Sequence, residues 1–148
     1  MSGKGIRIGK EEIEHITLFE GITRATVRDC VLDEKRDRVI LVVKKGHMGL
    51  AIGHHGSNLK KLQSMTGKQY EVVEHSDDPV TFLKGILRPV EPREIRILEN
   101  SPKGKIATII VGPKDRAITI GRRGKNIEKI SLLTRRYFGI DKVRVIAS

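Results

Sequence analysis

The chain has 148 residues and a formal charge of +11 at pH 7, which favours a polyanionic partner. Hydrophobic residues make up 38% and charged residues 32%, so the chain can form a core, and the single Cys30 excludes an intramolecular disulfide and a thiolate metal site. Residues 1–16 contain no long apolar run, so we expect neither a signal peptide nor a membrane span. We therefore expect the protein to be cytoplasmic.

The first half of the chain predicts a helix, two strands, two helices and a strand. Apolar residues at helical spacing predict a helix over "KEEIEHITLFEGIT", ending near Gly21. "TRATVRDCVLD" and "DRVILVVKK" are rich in β-branched residues and predict strands on either side of a charged turn at 33–37. "HMGLAI" predicts a short helix, residues 57–66 a longer helix, and "KQYEVVEH" a last strand.

The second half predicts the same order of elements. Asp78 followed by Pro79 is typical of a helix start, where an N-cap precedes proline at the first helical position, and "PVTFLKGIL" is that helix. "REIRILE" and "KIATIIV" predict strands around an "NSPKG" turn. "KDRAITI" and "KNIEKISLLTRRYF" predict helices, and "DKVRVIA" predicts a strand that closes the sheet.

The two halves are related by an internal repeat. An offset of 68 residues places "VILVVKKGHMGLAIGHHGSNLKKLQSMTGKQY" over "ATIIVGPKDRAITIGRRGKNIEKISLLTRRYF" without a gap, with Tyr70 over Phe138. Identical residues include the two glycines and the asparagine of "GHHGSN" and "GRRGKN". Two copies of one small domain explain this similarity better than a single larger core.

Each copy holds two glycines, three residues apart, between its two predicted helices. Glycine adopts positive φ and lets another backbone approach closely, while the next helix directs its first amides and positive dipole end at the turn. Arginine side chains beside those amides suit phosphate oxygens. A single such loop is more often two helix caps joined by a turn. Its occurrence twice in the same context favours a phosphate clamp.

An apolar residue precedes the first glycine of each loop, and another follows three residues after the second: Ile52 and Leu59, then Ile120 and Ile127. These residues resemble the core of the KH family, and the element order resembles its type II arrangement. The short connection between the copies is similar to that of the archaeal NusA-like proteins. The resemblance implies an α+β fold of two tandem type II KH domains, 1–75 and 76–148. Each would be helix-strand-strand-helix-helix-strand, with a three-stranded sheet covered by helices on one face.

The resemblance also implies a site. Each two-glycine loop would clamp the backbone of about four nucleotides of single-stranded RNA, and the groove would continue along the next helix and strand. The implied RNA-binding residues are Ile52, Gly53, His54, His55, Gly56, Ser57, Asn58, Lys60 and Lys61 in the first copy, and Ile120, Gly121, Arg122, Arg123, Gly124, Lys125, Asn126 and Lys129 in the second. Histidine carries little charge near neutral pH, so we expect the first clamp to bind more weakly than the second.

The positive charge lies mainly in the second half. Residues 1–80 carry a net charge of +1 and residues 81–148 a net charge of +10, so a polyanion should be held mainly by the second copy. Aromatic residues make up 3% of the chain, which argues against an aromatic base-stacking platform of the RRM or OB-fold kind.

We expect no catalytic group, metal or cofactor. His47, His54 and His55 have no cysteine or carboxylate at ligand spacing, which favours solvent-exposed loop histidines. The resemblance implies a single-stranded RNA-binding protein, expected to be a monomer, that acts on nascent transcripts in elongation or termination. RNA polymerase and the ribosome are its candidate protein partners. The alternatives are a ribosome-associated or ribosome-assembly KH protein and a protein-interaction adaptor with degenerate KH domains.

Overall fold

The computed structural model describes residues 8–148, which divide into two compact units. One unit ends at His75 and the other spans Ser76–Ser148. In each unit the order is helix, strand, strand, helix, helix, strand, as the sequence predicts. None of the helices in this part of the chain has the length and apolar composition that a membrane span needs.

The predicted elements agree closely with those of the structure. The first unit comprises α1 (Lys10–Thr23), β1 (Val27–Asp33), β2 (Arg38–Val43), α2 (Met48–Ile52), α3 (Ser57–Thr66) and β3 (Gln69–Glu74). The second comprises α4 (Pro79–Leu87), β4 (Glu94–Ser101), β5 (Gly104–Val111), α5 (Arg116–Ile120), α6 (Lys125–Phe138) and β6 (Lys142–Ala147). The turn between β4 and β5 is tighter than predicted because both strands extend into it.

Each unit contains a three-stranded mixed sheet with the second strand in the middle. In the first unit the order is β1-β2-β3, and in the second it is β4-β5-β6. The middle strand pairs antiparallel with the strand before it and parallel with the last strand. A parallel neighbour requires a crossover connection, and the helix pairs α2–α3 and α5–α6 provide it.

The gap-free alignment of the two copies fails before the last strand. Val39 lies opposite Tyr70 in the first sheet, and Ala107, 68 residues after Val39, lies opposite Val143 in the second. Phe138, which the alignment matched with Tyr70, instead ends helix α6. That match is wrong because α6 has 14 residues where α3 has 10, so the second unit adds about one helical turn before its last strand.

The cores lie between the helices and one face of each sheet. Successive residues of a strand point to opposite faces, so alternate residues of β2 (Val39, Leu41 and Val43) enter the first core together. Phe19 of α1 packs against them and is fully buried. Cys30 belongs to this cluster and is a small buried side chain at 1% exposure. The second core is built likewise around Ala107, Ile109 and Val111.

A buried ion-pair network distinguishes the first sheet from the second. The side chain of Arg38 is fully buried, and its Nε donates to Asp33 Oδ2 at 2.7 Å. Its Nη1 donates to Glu71 Oε2 at 3.3 Å, which joins β2 to β3. At the equivalent position 68 residues later the second unit has Ile106, which belongs to an apolar stretch of β5.

His15 connects the first helix to the last strand of the first unit. Its Nδ1 lies 2.6 Å from the hydroxyl oxygen of Tyr70. Burial lowers the pKa of His15 below its ordinary value of 6.5, although Glu11 opposes that effect. Burial also raises the pKa of Tyr70 above 10.0. Burial therefore favours an uncharged imidazole beside an uncharged phenol.

We expect the burial of His15 to make stability depend on pH. Because the folded state holds the pKa of His15 below that of the unfolded chain, the unfolded chain gains its proton first as the pH falls. Stability should therefore decrease as the pH drops below about 6.5. Urea unfolding at pH 7 and pH 5 should show a smaller decrease for His15→Gln than for the original chain. Identical pH dependence in both proteins would rule this out.

Candidate nucleic-acid interface

The two loops joining the paired helices share one backbone conformation. Gly53 has φ +76° and ψ 177°, and Gly121 has φ +79° and ψ 167°. Gly56 and Gly124 have φ +72° and +75°, in the left-handed helical region. The positive φ predicted for all four glycines is therefore confirmed. The first and second glycines of each loop differ in how strictly they require glycine. A ψ near 180° at positive φ, as at the first glycine, is accessible essentially to glycine alone, whereas other residues can enter the left-handed region of the second.

A third residue of each loop adopts a left-handed conformation that the sequence did not predict. His55 and Arg123 both have φ +55°. Such a φ costs roughly 1–2 kcal/mol in a residue with a Cβ atom. The residue type differs between the units while the angle does not, so closure of the loop imposes the conformation. Strain of this kind, retained twice, is typical of a functional loop.

An asparagine side chain fastens each loop to the helix before it. The amide Nδ2 of Asn58 donates to the carbonyl of Leu50 at 2.9 Å, and that of Asn126 donates to the carbonyl of Ile118 at 2.8 Å. The bond spans eight residues and crosses the base of the loop. These two residues, predicted as RNA contacts, therefore have a structural role in both units. Their contact with RNA stays a prediction.

The asparagines also explain why the first glycine of each loop is needed. A Cβ atom on Gly53 would lie 2.8 Å from the Asn58 side chain, and one on Gly121 would lie 2.8 Å from the backbone nitrogen of Asn126. Around Gly124, the nearest atom to such a Cβ would be 3.6 Å away. The first position is thus restricted by both φ and space, and the second mainly by φ.

Alanine substitutions should separate these two constraints. We expect Gly121→Ala to lower the free energy of unfolding by about 1–3 kcal/mol. Alanine would have to adopt a conformation accessible essentially to glycine, with its Cβ atom too close to the backbone nitrogen of Asn126. The matched variant Gly124→Ala should cost about 1 kcal/mol, the usual penalty for the left-handed region. Urea unfolding of the full chain measures both. An equal loss of unfolding free energy in the two variants would contradict the steric clash inferred at position 121.

The helices that follow the loops start without side-chain caps. Helix α3 has Gly56 at its N-cap position, helix α6 has Gly124 there, and neither receives a side-chain cap bond. Helix α4 contrasts with them, since the carboxylate of Asp78 accepts from the amide of Thr81 at 2.8 Å. That bond lowers the pKa of Asp78 and confirms the predicted N-cap. Uncapped helix N-termini present amide donors to an anion.

The loop turn determines which amides remain for an anion. A short 3-10 turn occupies each loop, and in it the amide of Ser57 donates to the carbonyl of His54, as that of Lys125 does to Arg122. Helix geometry therefore leaves the amides of the next two helical residues, 58–59 and 126–127, without a carbonyl partner inside the helix. These donors lie at the start of α3 and α6.

The predicted site residues gather around these two loops. His54, His55, Ser57, Lys60 and Lys61 are exposed in the first unit, and Arg122 and Arg123 in the second. The remaining site residues, including Ile52, Ile120, Lys125 and Lys129, are half-buried. The His54 and His55 rings contact each other edge to face, with centroids 4.0 Å apart.

His47 differs from the prediction of an exposed loop histidine. It is half-buried, and its Nδ1 accepts a hydrogen bond from the amide of Thr26 at 2.9 Å. The prediction was wrong because the bond joins residues 21 apart, which only the folded sheet brings together. Among the described residues, no three His, Cys, Asp or Glu side chains come together as a metal site requires.

Two exposed apolar residues beside the loops were missed by the sequence analysis. Leu50 of α2 and Ile118 of α5 occupy equivalent positions and are 49% and 59% exposed. Each contributes the carbonyl to which the loop asparagine is bonded. The 68-residue repeat could have identified them, because both copies place an apolar residue three positions before the first glycine.

The net charge differs between the two units. Residues 1–75 contain 13 Lys and Arg against 10 Asp and Glu, a net charge of +3. Residues 76–148 contain 16 against 8, a net charge of +8. The second unit therefore carries most of the positive charge.

Comparison with known proteins places the chain in a family. The family described as KH domain matches residues 12–84. The chain is 35% identical over 141 residues to the probable transcription termination protein NusA of Methanocaldococcus jannaschii, covering 95% of this chain and 75% of that protein. It is 34% identical over 140 residues to the protein of the same name from Halobacterium salinarum, covering 95% of this chain and 98% of that protein.

A solved structure agrees with these relationships. The crystal structure of APE1850 matches with a TM-score of 0.83 at 35% identity, covering 93% of this chain and 99% of that chain. The sequence similarity extends over nearly the full length of both partners in the Halobacterium comparison. The chain contains a KH domain and belongs to the family of archaeal NusA-like transcription termination proteins.

Proposed function

We propose that this protein binds single-stranded RNA through two tandem type II KH domains, residues 1–75 and 76–148, and acts on nascent transcripts in elongation or termination. The observation that carries the proposal is the repeated loop. Both units place two positive-φ glycines and one strained residue between equivalent helices. The family membership and the KH match to residues 12–84 support the same conclusion.

Each loop would hold the RNA by its backbone. Phosphate oxygens would accept hydrogen bonds from the uncapped amides at the start of α3 or α6. In the second domain, the exposed Arg122 and Arg123 would add two full charges beside those amides. Bases of about four nucleotides would then lie along the helix and the last strand of that domain, residues 142–146 in the second domain and 69–73 in the first.

The two domains would contribute unequally. The second has a net charge of +8 against +3 for the first, and its loop holds arginines where the first holds histidines. Counterion release scales with the number of phosphates neutralised, so the second domain should supply most of the salt-dependent affinity. The first would extend the site along the same strand.

Two domains on one short connection should bind one RNA cooperatively. Residues 75–78 join β3 to α4, and the amide of His75 still pairs with Val43. Inserting ten Gly and Ser residues after His75 lowers the effective concentration of the second domain at the RNA. Binding to a ten-nucleotide RNA should weaken by about two- to tenfold, while tetranucleotide binding should not change. Unchanged affinity for the long RNA would mean that the domains act independently.

The proposed place in transcription can be tested in cells. Ultraviolet crosslinking of the protein, followed by sequencing of the bound RNA, should recover unprocessed nascent transcripts from many genes. The Arg122→Asp/Arg123→Asp variant, expressed at the same level, serves as the control and should lose most of this RNA. Recovery confined to ribosomal RNA would instead support a role on the ribosome. Recovery of no RNA would refute the proposal.

A further inference from the structure

A cavity of about 200 Å³ lies next to the second loop, on the side of the α5–α6 pair that faces helix α4. Its floor is formed by buried residues, among them Leu87, Thr119 and Ile130. Its rim includes Ile118, which is 59% exposed, and Arg88. The cavity is smaller than the 300–1,000 Å³ typical of sites for intact cofactors or drug-sized ligands. It can hold one small planar group.

The second unit has a longer chain connection that builds this cavity. Residues 24–26 join α1 to β1 in the first unit, whereas residues 88–93 join α4 to β4 in the second. The longer segment places Arg88, Pro89 and Val90 against the helices of the loop. Arg24 directly follows helix α1, and Arg88 directly follows helix α4. The two units therefore share an arginine at this position and differ in the length of the connection that follows it.

The cavity is continuous with the proposed clamp. Asn126 lines it, and the same residue packs against Gly121, where a Cβ atom would lie 2.8 Å from its backbone nitrogen. Ile118 lines it too, and its carbonyl accepts the bond from the Asn126 amide. A nucleotide next to a phosphate held at Gly121 would therefore be within reach of the cavity.

The chemistry of the lining selects the occupant. Apolar side chains of Ile86, Val90 and Ile118 provide contact area for a flat ring. Arg88 and Lys129 provide cationic donors, and none of the ten described lining residues is acidic. Arginine and lysine donate to both the O6 and the N7 acceptors of guanine, whereas adenine offers them only N7 at this edge. Arginine also stacks on bases in single-stranded RNA.

We propose that this cavity binds one base of the clamped RNA, with guanine preferred, and so gives the second domain a sequence preference. The proposal rests on the proposed function, because it assumes that RNA backbone is held at the second loop. It adds a base-reading site formed by the α4–β4 connection to the groove along α6 and β6.

Binding of two ten-nucleotide RNAs tests the proposal. Both are uridine decamers, one with a single central guanine and the other with adenine in its place. A base contact of this kind is worth about 5- to 150-fold in affinity, so the guanine decamer should bind at least fivefold more tightly. The uniform background lets the strand shift along the protein, so the guanine can reach the cavity wherever it lies.

Variants of the rim should remove the preference for guanine over adenine. In Arg88→Gln/Ile118→Ala the ratio of the two affinities should fall to about one. The matched control Arg24→Gln/Leu50→Ala changes the equivalent positions of the first unit and should keep the preference. Thermal unfolding by circular dichroism checks that both double variants are folded, and both changes in each lie at exposed side chains.

The outcomes separate the two proposals. A guanine preference that persists in Arg88→Gln/Ile118→Ala would overturn the cavity proposal while leaving RNA binding established. Equal binding of the two decamers to the original chain would also overturn it. If the original chain binds neither decamer, the RNA-binding proposal itself fails.

Discussion

Replacing both loop arginines by aspartate, Arg122→Asp/Arg123→Asp, should lower the affinity for single-stranded RNA at least tenfold, or about 1.4 kcal/mol. Both side chains are exposed, so the substitution removes little buried surface. Aspartate tolerates the left-handed conformation at position 123 better than most residues, so the loop should keep its shape. Negative charge would then face phosphate at the start of α6.

The salt dependence of binding identifies the cause of the loss. Each phosphate contact with single-stranded nucleic acid contributes about 0.7 to the slope of log affinity against log salt. The arginine variant should therefore show a shallower slope than the original chain, measured by fluorescence anisotropy between about 50 and 200 mM salt. An affinity loss with an unchanged slope would point to a distorted loop instead of lost phosphate contacts.

The equivalent substitution in the first unit is a matched control. His54→Asp/His55→Asp changes the same two loop positions and introduces the same two negative charges. The affinity loss at neutral pH should be smaller, because histidine contributes little positive charge there. If the first-unit variant loses as much affinity as the second-unit variant, the proposal that the second domain supplies most of the affinity is wrong.

Removing the buried arginine should have the largest effect on stability. Arg38→Met leaves the carboxylates of Asp33 and Glu71 without their shared cation in the first sheet. Their side chains are 15% and 12% exposed, so water offers little replacement. Breaking a buried ion pair by removing one partner costs about 3–5 kcal/mol, which approaches the whole stability of a small domain.

Urea unfolding followed by circular dichroism measures this loss, and hydrogen exchange of the β2 amides assigns it to the first unit. The triple variant Asp33→Asn/Arg38→Met/Glu71→Gln removes every charge of the network and should recover most of the stability. The second unit, with Ile106 at the equivalent position, already folds without such a network. Wild-type stability in the single variant would mean that the network contributes nothing.

The secondary structure was largely predictable because local signals and packing agree. Helix α6 coincides with the predicted "KNIEKISLLTRRYF", since its apolar residues recur at helical spacing and a glycine stands at each end. Helix α4 begins where the Asp-Pro signal places it. The fold and the two loops followed from these elements together with the repeat.

Features that depend on distant residues were not predictable. The ion pairs of Arg38 join β2 to the end of β1 and to β3, and the bond from Thr26 to His47 crosses the sheet edge. The left-handed angle at Arg123 follows from loop closure and has no signal in its residue type. The cavity beside the second loop requires the α4–β4 connection to lie against α5, which sequence periodicity does not report.

The asparagine bond across each loop has a consequence for the rate of RNA binding. In each loop, Asn58 or Asn126 already bonds to the helix before the loop, so less rearrangement is needed when RNA arrives. Association would then lose less side-chain and backbone freedom on contact, which lowers its entropic cost. If the proposed function is correct, encounter with a transcript would be governed mainly by diffusion and charge, as rapid binding to a growing strand would require.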